Sequence, residues 1–317
     1  MKSLKLLLAS MAVAAHFVAP ATLGQTYPAK PVQLVVPSQP GGGLDVVARL
    51  FAAFVEPRLG QPVIVENKAG AQTLLGNKYV ANAAPDGYHL LFTTPSTPFP
   101  ALYKKPGINV PEQLEFISMV LRAPQIVAVN AKYGSLQDLA KASKGQKKLI
   151  FASYGSVLHL QSLLLNEALG IDARALRFSS SQDAAKAVAA GDADYLLASA
   201  ATLKPWQKLG SLRPVAVTTN TRSDEMPELP SLKEAGVAAE DMTIWMGLYA
   251  PKGTPRAIVD RLNAEVRAFA SDNKAAQTMR SLGFSPYPTT PEAFRSYYMA
   301  EQKSLVDAAD KFGVERQ

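Results

Sequence analysis

Cysteine is absent from the sequence, and histidine occurs only three times in 317 residues. The first absence excludes disulfides, thiolate catalysis, zinc ribbons and lipid attachment at an N-terminal Cys. It does not exclude export, because a chain with an adequate apolar core needs no cross-links. His16 sits in the N-terminal apolar segment, which leaves His89 and His159. Their spacing makes no metal site, no HExxH or Asp/Glu ligand cluster accompanies them, and each reads first as a structural residue. Charge is also modest, at 19% charged residues with a formal net charge of +7. Lys104–Lys105 and Lys147–Lys148 are the only basic pairs of note. Without a basic stripe and stacking aromatics, nucleic acid is not an expected partner. The Gly-x-Ser-x-Gly elbow of a serine hydrolase is missing too. "YGSVLH" brings Ser156 and His159 close in sequence, but nothing marks them as nucleophile and base.

What is present begins at the N-terminus. Lys2 and Lys5 precede an apolar run from Leu6 to Ala15, and the small residues Ala19, Ala21 and Gly24 follow. This is the layout of a secretory signal peptide, too short for a spanning helix. Residues 1–24 are read as that signal, with cleavage after Ala21 and after Gly24 both compatible with the pattern. No later stretch approaches the roughly 20 apolar residues of a transmembrane helix. The mature protein is therefore expected to be exported and soluble.

The rest alternates apolar, β-rich runs with segments of helical period. Val32–Val36, Val63–Glu66 and His89–Thr93 read as strands. Between them, Val46, Leu50 and Phe54, with Val47, Phe51 and Val55, repeat at four-residue spacing from Asp45 onward and mark a helix that Pro57 should end or kink. Thr73–Ala83 reads as a second helix, and strands linked by helices imply a parallel arrangement. The pattern recurs in the middle of the chain. Strands are expected at Gln125–Val129, Leu149–Ala152, Arg174–Phe178, Ala193–Ala198 and Arg213–Thr218, with "SLQD" at Ser135–Asp138 capping a helix. Met242–Ala250 reads as a long strand. Thr254 and Pro255 should then open a helix with Ile258, Leu262, Val266 and Phe269 as its buried stripe. "TTPEAF" at Thr289–Phe294 opens the last. The fold class expected is α/β, with two lobes and a cleft between them.

"VVPSQPGGGLDVVARL" holds the strongest local signal. Its triglycine, Gly41, Gly42 and Gly43, follows a strand and precedes a helix. It lacks the Gly-Lys-Ser/Thr ending of a P-loop and the Gly-x-Gly-x-x-Gly spacing of a dinucleotide fold. Its free N–H groups would lie at the carboxyl edge of the sheet, where open α/β sheets hold ligands and a helix N-terminus favours an anion. The plainer reading is a tight turn, with Asp45 capping the helix. Three further polar loops follow other strands: "TTPST" (Thr93–Thr97), "SYGS" (Ser153–Ser156) and "SSSQD" (Ser179–Asp183).

These segments together resemble the periplasmic solute receptors of tripartite tricarboxylate transporters, the Bug-type receptors. The resemblance rests on "YPAKPVQLVVP", "PGGGLDVVARL", "LGQPVIVENKAGA" and "AAPDGYHLLFTT". It continues through "LYKK", "LRPVAVTT", "MPELPSLKEAG" and "WMGLYAPKGTPRAIVDRLNAEV", in that order. It implies a Venus-flytrap (type II) binding fold of two mixed sheets with two crossing hinge strands, near Leu121–Val127 and Thr243–Tyr249. Lobe 1 would comprise residues 25–122 with 247–317, and lobe 2 residues 123–246. The implied ligand is a small organic carboxylate: a di- or tricarboxylate, an aromatic acid or an acidic amino acid. Neither catalysis nor a cofactor is implied. By resemblance, Ser38, Gly41, Gly42, Gly43 and Asp45 bind it together with Thr94, Ser96 and Thr97. The second lobe would add Ser153, Gly155, Ser156, Phe178, Ser179 and Ser180, with Asp194 near the cleft to receive an amine or orient water. The family commonly has an aromatic where Ser38 stands, a longer loop at Ser153–Ser156, and a cation where "RFSSS" (Arg177–Ser181) runs. The expected partners are the membrane permease subunits of such a transporter, and the expected state is a periplasmic monomer. Sensing for a membrane kinase is the alternative use of the same binding, and an exported hydrolase the alternative of another class.

Overall fold

The computed structural model describes residues 27–70, 73–94, 107–145, 148–223 and 226–315. The expected signal segment lies outside them. The first unit runs β1 (Val32–Val36), α1 (Gly43–Leu59), β2 (Val63–Asn67), α2 (Leu74–Ala81), β3 (His89–Thr93), α3 (Val110–Gln113) and β4 (Leu114–Pro124). The chain then crosses into β5 (Ile126–Asn130), α4 (Leu136–Ser143), β6 (Leu149–Tyr154), α5 (Ser156–Leu169) and β7 (Ala173–Phe178). This second unit continues with α6 (Ser181–Ala190), β8 (Tyr195–Ala198), α7 (Ala200–Lys208) and β9 (Leu212–Val217). It returns through β10 (Thr243–Pro251), α8 (Arg256–Ser271), α9 (Asn273–Ser281), β11 (Ser285–Pro286) and α10 (Pro291–Lys311).

Two mixed sheets result, ordered β11-β4-β10-β3-β1-β2 and β7-β6-β8-β5-β9. β1 lies between β2 and β3, parallel to both, and its four valine and leucine side chains are buried. That is the composition a strand covered on both faces requires. β10 runs antiparallel to β3 and β4, and β5 antiparallel to β8 and β9. Helices cover both faces of each sheet. In the first, α1 and α8 bury Val47, Phe51, Val55, Val259 and Phe269 on one side, while α10 brings Phe294, Tyr298 and Leu305 to the other.

The units meet where three backbone segments cross. The Gln125 N–H donates to the Met242 carbonyl (3.4 Å), the Thr218 N–H to the Gln125 carbonyl (2.9 Å), and the Met242 N–H to the Thr218 carbonyl (2.9 Å). The Thr218 hydroxyl donates to the Gln125 carbonyl at 3.0 Å. β10 pairs with β4 from Thr243↔Pro124 to Pro251↔Leu114, so Thr243–Met246 join the first sheet rather than the second unit.

Local signals decide the helix ends. α1 continues two residues past Pro57 and stops at Gly60, whose φ of 70° is left-handed and whose N–H reaches the Glu56 carbonyl at 3.0 Å. In the last turn a proline removes one hydrogen bond only, and glycine supplies the terminating conformation. Ser135 caps α4 and Thr290 caps α10 as their spacings imply. Thr254 does not cap α8: its hydroxyl donates to the Pro251 carbonyl at 2.8 Å, and Pro255 takes the cap position. α7 and α9 were not legible in the sequence; both are short, and α7 carries an internal Pro205.

Gly247 marks the tightest packing. A Cβ there would lie 2.2 Å from Phe294 Cζ. Phe294 is held edge-on by Phe116 and Trp245, with ring centroids 5.2 and 5.3 Å away. Gly247→Ala should therefore cost about 1–3 kcal/mol, the range for overpacking a filled core. Urea denaturation measures this, and an unchanged midpoint would contradict the packing described.

Candidate ligand site at the carboxyl edges of the sheets

The loop after β1 is built around one carboxylate. Asp45, 2% exposed, accepts the Gly41 N–H on Oδ2 at 2.8 Å. Arg49 Nε donates to the same oxygen at 3.0 Å, and Arg49 Nη2 lies 3.0 Å from Oδ1. Asn67, at the end of β2, donates from Nδ2 to Asp45 Oδ1 (2.8 Å) and to the Ser38 carbonyl (3.1 Å), and accepts from Arg49 Nη2 at 2.8 Å. Burial opposes a charge on Asp45, but hydrogen bonds from Arg49, Gly41 and Asn67 outweigh it and hold the carboxyl below its ordinary value. Asp45 therefore neither caps α1, whose cap is Gly42, nor presents a free oxygen to a solute. It shapes the glycine loop. Gly41 adopts φ +84°, where only glycine is unstrained.

Beside this loop lies a set of buried polar atoms without hydrogen-bond partners: Ser38 Oγ, Thr73 Oγ1, Thr93 Oγ1, and both Nδ2 and Oδ1 of Asn77. The parallel register Val35↔Leu91 carries the chain on to place Pro37 opposite Thr93. α2 sits against the same loop, since a Cβ on Gly76 would be 2.9 Å from Pro37 Cβ. Thr73, at the start of α2, has φ 75°, the one non-glycine residue with positive φ among the described residues. Such backbone costs energy and gathers at functional sites. Buried polar groups are nearly always partnered, so this set holds hydrogen-bonding capacity that no described residue meets. Ser38 was anticipated; Asn67, Thr73 and Asn77 were not. The sequence carried one sign of Asn67 and Thr73, the small and polar run "ENKAGAQT" at the end of β2 and beyond it. Thr94 follows β3 as expected, while Ser96 and Thr97 lie outside the described residues.

The second sheet offers a similar edge. β6 ends at Ser153 and Tyr154, Gly155 turns with φ +62°, and Ser156 begins α5. Tyr154 ends alongside Phe178, the last residue of β7, with Ser179 beyond it. Burial alone pushes the Tyr154 phenol up to about 12. Ser180 accepts the Asp183 N–H (3.1 Å) and donates to its carboxylate (2.7 Å), so its hydroxyl serves the start of α6. Ser199 caps α7 after β8 by accepting the Thr202 N–H, a polar strand end that sequence reading missed. The two edges approach through the turn at Gly283–Phe284. A Cβ on Gly43 would lie 3.7 Å from the Phe284 ring, and one on Gly283 3.4 Å from Ala200.

Two expectations change here. His159 Nδ1 lies 3.1 Å from Ser153 Oγ, so the serine beside the imidazole is Ser153, not Ser156. Burial, helped by Arg177, pushes His159 down to about 4, which disfavours the imidazolium a serine hydrolase must form. Asp194 lies at the other end of the sheet. Its neighbour Tyr195 pairs with Phe151 near the start of β6, about 10 Å of strand from Tyr154. Its carboxylate accepts Lys132 Nζ (2.7 Å), the Tyr133 hydroxyl (2.8 Å) and the Ile150 N–H (2.8 Å). It ties strands together at the amino edge, away from the cleft.

Truncating Asp45 to Ala should destabilise the fold by about 1–3 kcal/mol, since Arg49 and the Gly41 N–H lose a buried acceptor. Urea midpoints report it, and the loss should vanish once acid protonates the wild-type carboxylate. For His159, the folded value near 4 lies below the ordinary 6.5. Its contribution is complete above pH 6.5 and is lost as pH falls toward 4, on the order of 3 kcal/mol. A His159→Gln variant should flatten that limb of the stability–pH curve; an unaltered limb would show that another group sets it.

The description "Tripartite tricarboxylate transporter family receptor" fits a family model that matches residues 47–304. BugT of Bordetella pertussis is 31% identical over 284 residues, covering 87% of each chain. Among solved structures, a R. palustris protein with adipate superposes with TM-score 0.76 at 28% identity, over 90% of this chain and 98% of that one. MatC from Rhodopseudomonas palustris with bound malate gives 0.72 at 28% identity, over 89% and 99%. Both expectations of fold hold: the chain is α/β with two mixed sheets in two lobes. Among the described residues no helix is long and apolar enough to cross a membrane. The chain belongs to the receptor family of tripartite tricarboxylate transporters.

Proposed function

We propose that this protein is a periplasmic receptor that captures a small organic carboxylate in the carboxyl-edge cleft and delivers it to the permease of a tripartite tricarboxylate transporter. The observation that carries the reading is the unpartnered buried set of Ser38, Thr73, Asn77 and Thr93. Those donors and acceptors match a carboxylate with its bridging waters. The N–H groups at the start of α1 add the positive end of a helix to the same side. The Asp45–Arg49–Asn67 clamp fixes the glycine loop before the solute arrives, which lowers the ordering cost of binding. Closure occurs by hinge bending at Gln125, Thr218 and Met242, bringing Gly155–Ser156 and the start of α7 toward the first lobe. Ser38 in place of an aromatic widens the first-lobe wall, and Tyr154 narrows the second. Malate and adipate, held by two similar proteins, give the first solutes to try.

A thermal-shift and calorimetric screen of di- and tricarboxylates, aromatic acids and acidic amino acids tests this. One of them should stabilise the fold, by about 2.7 kcal/mol at 100-fold over its Kd. Asn77→Leu should weaken that binding at least tenfold while leaving the apo fold as stable or more so, because it removes an unsatisfied buried amide. A library without a single stabilising carboxylate would sink the proposal. Retention of the loaded protein by a kinase sensor domain, and not by the permease, would reassign it to sensing.

A further inference from the structure

A cavity of about 860 Å³ lies away from the carboxyl-edge loops. Its walls are the later turns of α5, the segment 238–242 leading into β10, and α10. It therefore borders the crossing segments and is lined from both units. Leu164, Ala168, Met242, Leu305 and Ala308 make it largely apolar.

Its polar groups are mostly acceptors. Five carboxylates stand in the lining against two lysines. Both lysines are already paired, Lys303 with Asp307 and Lys311 with Glu167. Among the described residues that leaves Glu240, Asp241 and Glu301 without a lysine or arginine partner. Glu240 and Asp241 stand at the exposed rim, where Ser304 Oγ (3.2 Å) and the Asn220 N–H (2.7 Å) donate to them. Glu301 sits deeper, accepting Trp245 Nε1 at 2.7 Å. Gln161, 4% exposed at the α5 wall, has its Oε1 buried without a hydrogen-bond partner. An apolar chamber holding a carboxyl and an unsatisfied amide oxygen lacks one thing, a cationic donor.

We propose that this cavity binds a primary alkylammonium, with the ammonium between Glu301 and the Gln161 carbonyl and the alkyl body against Leu164, Ala168 and Leu305. Burial raises the Glu301 carboxyl to about 7, so the site is incompletely charged near neutrality when empty. An adjacent ammonium favours the carboxylate and supplies hydrogen bonds to both acceptors. The same lining repels anions, so this site is opposite in sign to the carboxyl-edge cleft and does not depend on the solute proposed there.

Hexylammonium is the probe, titrated calorimetrically into the full chain at pH 8, with hexanol and hexanoate beside it. Trp245 reports directly once Trp206, the other tryptophan, is replaced by Phe. Hexylammonium should bind saturably and shift Trp245 emission, while hexanoate should not bind. Glu301→Gln should weaken binding at least tenfold while keeping an acceptor for Trp245, and Ala168→Trp should abolish it by filling the chamber. Should Glu301→Gln not fold, Gln161→Leu makes the same test with the same tenfold expectation. The proposal is overturned if no saturable binding occurs, if hexanol binds equally well, or if these substitutions leave the affinity unchanged. Displacement of hexylammonium by malate would also overturn it, because that would place the amine in the carboxyl-edge cleft.

Discussion

The backbone crossing at Gln125, Thr218 and Met242 holds the two sheets to one another. The chain passes between the units at Gln125 and again at Met242, and both segments exchange N–H and carbonyl bonds with a third at Thr218, so the peptides there are satisfied by one another. The Thr218 side chain adds a further donor to the same carbonyls. Two cores lie to either side, on separate sheets, and a third joins Leu160 of α5 to Phe294, Tyr298 and Leu305 of α10 across the units.

β1 and β3 end at one carboxyl edge and β6 and β8 at another, and the two edges approach at the turn Gly283–Phe284. The two halves handle polarity differently. In the first lobe, Asp45, Arg49 and Asn67 satisfy one another and fix the loop, while Ser38, Thr73, Asn77 and Thr93 are left without partners. In the second, Ser153, Ser180 and Ser199 are engaged by His159, Asp183 and Thr202. The unmet hydrogen-bonding capacity is thus concentrated on the first-lobe wall. Away from the cleft, around α10, an apolar chamber carries surplus negative charge.

Much of the fold was legible. Buried strands are continuous valine and leucine runs, and His89–Thr93 was read to the residue. Ser135 and Thr290 announce their helices because a side-chain oxygen three residues before an N–H caps locally. Thr254 misled for the same reason reversed: its hydroxyl found the Pro251 carbonyl, a contact of the folded loop. Pro57 misled because its position in the last turn, invisible without the helix end, made it harmless. Of the site, the strand-end loops were readable, since glycine and hydroxyl residues after apolar runs are a local pattern. Asp194 was not, for its partners Lys132, Tyr133 and Ile150 come from other segments.

The sequence by itself determined the alternation of strands and helices, the family, and the glycine loop after the first strand. These depend on residue type and short spacing, which a chain carries whether folded or not. Only the tertiary structure decided which polar groups are satisfied. Asp45 is occupied by Gly41, Arg49 and Asn67, the Asn77 side chain is buried with no partner among the described residues, and Glu301 faces a cavity lined from both lobes. Satisfaction of a buried polar group depends on what distant segments bring within about 3 Å of it, a relation that exists only after packing.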